Sequence, residues 1–152
     1  MELLRRVAGF GTPIADMKII YILFVRSILE QSATVWHSSL TQENAEDLER
    51  VQRSALKIML KDKYVSYTRS LAQLGLETLS DRREALCLNF ALKCTKNEKL
   101  SHMFPLNQKN HDMETRHEER YKVQFAHTNR LKKSPLIYMQ KLLNQNEENK
   151  ST

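Results

Sequence analysis

Trp36, His37, Ser38 and Ser39 stand side by side between an apolar stretch and a charged one, and they include the chain's single tryptophan. A histidine beside two hydroxyls, with Asp47 further along, supplies the residue types of a base, a nucleophile and an orienting acid. A triad needs its members to converge on one point. Neighbours such as His37 and Ser38 leave any regular backbone in different directions, and no glycine-rich elbow presents either serine. The block therefore predicts a packed corner, with Trp36 anchoring one helix against the next and His37 exposed on the connecting loop.

Cys87, Cys94, His102 and His111 also carry ligand chemistry, separated by six, seven and eight positions. Structural zinc sites pair ligands two to four residues apart, or histidines three to five apart. Both cysteines fall in one predicted helix, about 10.5 Å apart at 1.5 Å per residue, too far for a disulfide or a shared metal. Packed or half-exposed thiols in a reducing compartment are expected. No phosphate-cradling glycine loop occurs, and the paired acids Glu46-Asp47 and Glu118-Glu119 read as solvated. No catalytic residue, metal or cofactor is expected.

Basic residues remain. Arg50, Arg53, Lys57 and Lys61 line one side of a predicted helix over about 42–61, opposite Leu48, Val51, Ala55, Ile58 and Met59. Glu46 precedes Arg50 by four residues and Glu49 precedes Arg53 by four, the order that supports an isolated helix. Those two arginines are thus explained without a ligand, whereas Lys57 and Lys61 stay as candidates for phosphate contact. Arg82 and Arg83 fall in the first turn of a later helix, where cations oppose the dipole; with free amides they suggest a phosphate seat, flanked by Asp81 and Glu84. Arg130, Lys132 and Lys133 form a third cluster, in a setting suited to backbone contact rather than base reading.

The elements that would position these residues follow from composition. In 152 residues there are only three glycines and three prolines; 41% are hydrophobic, 28% are charged and the formal charge is +6. So few breakers beside abundant Leu, Lys, Glu, Gln and Ala predict an all-α fold, a small irregular bundle of about five helices. The net charge favours an anionic partner such as nucleic acid. The longest apolar run, Ile19 to Val25, is clamped by Lys18 and Arg26 and is too short to span a bilayer, which needs ~20 residues; with no signal peptide at the start, a soluble intracellular chain is expected, nuclear or cytoplasmic and not secreted, with no membrane partner.

A first helix should end at Gly9-Phe10-Gly11. Thr12 and Pro13 then open a second, running to about Val35 and forming the central, most buried element. Thr41 should cap the third, Ser66 should open a short fourth closed by Gly75, and Ser80 should cap a fifth through about Lys96 with a stripe of Ala85, Leu88 and Leu92. Residues 1–105 thus read as a helical domain. Residues 106–133 read as a flexible polar linker, since Gln108 to Arg120 hold one apolar residue, Met113. Residues 134–152 read as a short amphipathic helix through Leu136, Met139, Leu142 and Leu143 with a frayed end, closing a largely disordered basic tail.

The blocks YILFVRSILEQSATVWHSSL, LERVQRSALKIML, LAQLGLETLSDRREALCLNFALKC and FPLN occur in that order, followed by YKVQFAHTNRLKKSPLIYMQKLLN. Together, from about Leu3 to Asn144, they resemble the region after the catalytic palm in reverse transcriptases of non-LTR retrotransposons of the jockey-like kind. Gln31 and Thr34 depart from it, standing where an aromatic and a proline are usual. The resemblance implies a thumb whose helices hold a primer–template duplex, so RNA–DNA or DNA backbone becomes the expected partner of Arg82, Arg83, Lys57, Lys61, Arg130, Lys132 and Lys133. It also implies that catalysis belongs to an aromatic-x-Asp-Asp turn, and no Asp-Asp pair occurs here. The expectation is a thumb and C-terminal segment without palm or endonuclease, not itself an enzyme. The rivals are a helical interaction module using an exposed palm-facing apolar surface, and a retrotransposon relic without function.

Overall fold

The computed structural model describes residues 1–107 and 120–151. It is all-α: the described residues form helices and turns, with one antiparallel bridge, Leu106 to Tyr121, and no strand. The chain divides into two compact units, one of Met1–Ala33 with Leu40–Arg83, the other of Thr34–Ser39 with Glu84–Thr152. The division falls inside a helix at residue 83 rather than at residue 105. Most of the expected 106–133 linker, residues 108–119, lies outside the described residues.

The first unit begins with α1 (Glu2–Gly9). Thr12 does not cap the following helix; its hydroxyl turns back and donates to the carbonyl of Val7 at 3.0 Å, closing the end of α1 instead. Next come α2 (Ile14–Ile20), a π-helical turn (Tyr21–Arg26) and α3 (Ser27–Glu30). Ser32, at φ 54°, breaks the run before α4 (Ala33–Trp36), so the single helix expected to Val35 is cut short. Nor is this run the buried centre, for only Met17 and Tyr21 are buried on it. Apolar residues all round a helix favour burial only where neighbours cover every side, and here α1 and α5 cover one.

The centre is α5 (Gln42–Leu60), capped by Thr41 as expected, whose hydroxyl accepts from the amide of Asn44 at 3.2 Å. It packs against α1, α2 and α6 (Tyr67–Leu74). Ala55, Leu56, Met59 and Leu60 meet Leu4, Met17, Tyr21, Leu71 and Leu74 in the core. Ser66 opens α6 by accepting from the amide of Arg69. Gly75 closes it at φ 58°, the left-handed conformation that favours glycine. The amides of Gly75 and Leu76 return to the carbonyls of Ala72 and Leu71, the paired bonds of a Schellman stop.

α7 (Leu79–Lys96) starts two residues earlier than Ser80 implied, with Thr78 accepting from the amide of Asp81. Its buried line is Leu79, Arg83, Cys87, Ala91 and Cys94, while Ala85 is exposed and Leu88 and Leu92 are half-buried. Apolar residues occur on several sides of this helix, and thiols bury like small hydrophobes, so periodicity alone misplaced the stripe.

In the second unit Ala91, Cys94, Phe104, Tyr121, Met139 and Leu143 form the core. Its other elements are 3₁₀ turns at His37–Ser39 and Ser101–Met103, α8 (Asn129–Lys132) and α9 (Pro135–Ser151). Met139, Leu142 and Leu143 are buried as expected, with Ile137; Leu136 is half-buried. The expected frayed end is instead helical to Ser151, and it starts with Asn144, 6% exposed. Asn144 brackets the backbone of Tyr121, accepting from its amide at 2.8 Å and donating to its carbonyl at 3.0 Å. That fastening holds the start of the polar end against Tyr121.

Candidate functional site

In the Trp36 block both serine hydroxyls bond to backbone carbonyls. Ser38 donates to the carbonyl of Lys133 at 2.7 Å and Ser39 to that of Trp36 at 2.9 Å. His37 is not loose on a loop: it is half-buried, with Nε2 3.2 Å from the hydroxyl of Tyr138 and the two rings edge to face. Burial pushes the Tyr138 phenol up to about 12, so it stays protonated. Asp47 accepts from Arg50 at 2.6 Å. Cys87 and Cys94 are buried and form no disulfide, and burial raises the thiol of Cys94 away from its reactive form. Among the described residues no three His, Cys, Asp or Glu side chains gather as metal ligands.

The arginine pair does not make the phosphate seat that its sequence suggests. Arg83 is fully buried and cannot meet a ligand in solvent. Arg82 donates to Glu30 at 2.6 Å, and Glu30 also lies 3.5 Å from Arg26 and is only 12% exposed. An acid fifty-two residues away neutralises the site, a pairing invisible to local sequence. Lys61 donates to the carbonyl of Ala8 at 3.0 Å, holding the C-terminal end of α1. Lys57 lies over the ring of Tyr64 at 5.6 Å, with its ammonium on an exposed residue. Arg130, Lys132 and Lys133 are exposed in the other unit.

The helical ion pairs expected on α5 also rearrange. Arg50 pairs with Asp47 rather than Glu46, and Arg53 lies over the Tyr67 ring at 5.1 Å. Glu49 turns inward instead, accepting from the hydroxyl of Tyr67 and from the amide of Ser80 at 2.8 Å. Behind it Gln52, fully buried, accepts from Tyr21 at 2.6 Å and donates to Tyr67 and to the carbonyl of Glu77. Burial keeps both tyrosines well above the usual phenol range, with the Glu49 hydrogen bond adding to the effect at Tyr67. This polar chain joins four helices. Its one sequence signal is that Gln52 falls in register with Ala55, Leu56 and Met59. A cleft of about 420 Å³ opens beside it, lined by Glu46, Glu49, Arg50 and Arg53 among others, with balanced charges that select no ion.

Ile19, Leu23, Phe24 and Ile28, spaced by four, one and four residues, are 54%, 59%, 58% and 69% exposed. They form an apolar strip along α2, the π-helical turn and α3. Ile14–Ser39 is long and apolar enough by length and composition to cross a membrane, but Ser32 interrupts the helix within it. The described residues therefore define an all-α chain whose surface carries this apolar strip and scattered cations. Comparison with protein-family models, curated proteins and solved structures finds no match.

Proposed function

We propose that this chain is a non-catalytic helical segment of the reverse-transcriptase type. In that reading it is similar to the thumb and C-terminal part of a non-LTR retrotransposon's RNA-directed DNA polymerase. It docks on a protein partner through Ile19, Leu23, Phe24 and Ile28, and it makes weak, salt-dependent, sequence-tolerant contacts with RNA or DNA backbone through cations such as Lys57, Arg130, Lys132 and Lys133.

The exposed strip is the observation that carries this reading. Burying one such side chain is worth about 1.5–3 kcal/mol. With these four already partly covered, they supply roughly 4–7 kcal/mol together before association costs, which themselves run from ~4 kcal/mol upward. A helix that leaves this much apolar surface in water is suited to a partner. The sequence blocks that resemble the post-palm region begin on this helix, which makes a polymerase palm the fitting occupant. Losing Arg82 and Arg83 as contacts weakens the nucleic-acid part and leaves the docking part untouched.

The test is co-purification with a separately expressed palm of a non-LTR reverse transcriptase. Phe24→Glu with Ile28→Glu should cut recovery at least about tenfold, as loss of a central apolar anchor does, while circular dichroism stays unchanged because both residues are exposed. Equal recovery of parent and variant would falsify the docking role. Self-association abolished by the same variant, with no palm capture, would favour the interaction-module rival. Primer, template, Mg²⁺ and nucleotides should yield no extension.

A further inference from the structure

From Tyr121 to Asn146 there is no acidic residue, while Lys122, Arg130, Lys132, Lys133 and Lys141 all fall in this stretch. All five are exposed, and none has an ion-pair partner among the described residues. In the middle stands Phe125, 80% exposed, with the ring of His127 edge-on to it at 4.7 Å and 88°. A large aromatic left this open, in a segment without one carboxylate, calls for an explanation. Folding supplies none, since the ring touches no core.

The backbone leading to it is held firmly. Asn144 brackets Tyr121. Gln140, fully buried, accepts from the amide of Gln124 at 3.0 Å and donates to the carbonyl of Met103 at 2.9 Å. The amide of Lys122 donates to the carbonyl of Pro105 at 2.8 Å. On the other side Thr128 caps α8, accepting from the amide of Leu131, so Arg130 and Lys132 ride on a fixed turn. The ring is thus exposed on an anchored segment, and ordering it on binding costs little.

We infer that Phe125 and His127 form a stacking platform for unpaired bases, with Lys122, Arg130, Lys132 and Lys133 taking the phosphates, so that this unit binds single-stranded RNA or DNA. Stacking plus cations is the sequence-tolerant chemistry of single-strand sites. A duplex offers the same phosphates but keeps its base faces stacked, so Phe125 gains nothing from it. The inference deepens the nucleic-acid part of the proposed function and does not depend on the apolar strip.

Fluorescence anisotropy with the whole chain tests it, using labelled oligo(U), oligo(dT) and an RNA–DNA hybrid duplex, each of about 12 nucleotides per strand, at about 50 and 200 mM salt. Single strands should bind more tightly than the duplex. Phe125→Ala should weaken single-strand binding about 5- to 150-fold, the value of one stacked base, and leave duplex binding alone; Phe125→Trp should restore it. Lys132→Ala with Lys133→Ala should flatten the slope of log affinity against log salt by about 1.4, at ~0.7 per phosphate contact on single strands. Equal binding by parent and Phe125→Ala, with the duplex still bound, overturns the platform alone. No binding of any oligonucleotide at low salt overturns the platform and the backbone contacts together. Phe125-dependent binding to anionic phosphatidylserine vesicles without oligonucleotide binding reassigns the patch to a lipid surface.

Discussion

The two units use buried amides in contrasting ways. In the first, Gln52 is the hub of a closed network that runs from Tyr21 through Tyr67 to Glu49. In the second, Gln140 and Asn144 reach out from α9 and clamp the otherwise irregular backbone of Tyr121 and Gln124. The cations follow suit. Arg82, Arg50 and Lys61 are engaged by Glu30, Asp47 and a helix-end carbonyl, whereas Arg130, Lys132 and Lys133 extend from exposed positions without ion pairs among the described residues. Regular helices present acids and carbonyls that neutralise neighbouring bases. From Tyr121 to Asn146 no acid is present, so Arg130 and Lys132 on α8 and Lys133 just after it keep their charges open to solvent.

Breaking the closed network should have the largest effect. Gln52→Ala strands the buried Tyr21 hydroxyl and the part-buried Glu77 carbonyl, each costing about 1–3 kcal/mol when left without a partner, while the Tyr67 hydroxyl keeps Glu49. A loss of roughly 2–4 kcal/mol in urea unfolding is expected, with hydrogen exchange accelerating in α5 and α6; an unchanged midpoint would show that the hub is dispensable. The clamp should be weaker. Asn144→Ala should cost about 1–3 kcal/mol and expose Arg120 and Lys122 to trypsin, while single-strand affinity falls because the platform loses its anchor.

Alkali should sharpen the same contrast. The phenols of Tyr21, Tyr67 and Tyr138 are all held above their ordinary value of 10.0 by burial. Between pH 10 and the folded values the unfolded chain releases protons that the folded one retains. The stabilisation is therefore fully present below about pH 10 and is lost as pH rises further. Thermal midpoints should fall steeply above that point, less so in Tyr21→Phe, and parallel curves for parent and variant would remove Tyr21 from the account.

Smaller effects should follow at the helix ends and on the surface. Gly75→Ala forces a side chain into the left-handed region and should cost about 1–2 kcal/mol, with room for the methyl itself, since Lys18 is the nearest neighbour at 3.8 Å. Arg82→Gln should be the mildest, within about 1 kcal/mol for a half-exposed ion pair, and hybrid-duplex affinity should stay unchanged within measurement. A marked loss of affinity there would return Arg82 to the phosphate-binding set.

Local chemistry alone was enough for the all-α class, the Thr41 cap, the Ser66 to Gly75 helix and the exposed basic line of α5. Each depends on groups within a turn or two of one another: a hydroxyl reaching an amide three residues on, a glycine at a positive φ, bases repeating at helical spacing. Other features were decided only by the fold. Glu30 reaching Arg82, Asn144 bracketing Tyr121 and Lys61 meeting Ala8 join residues far apart in the chain. Whether α2 or α5 became the centre depended on which faces found neighbours, because an apolar residue gains nothing until another element covers it.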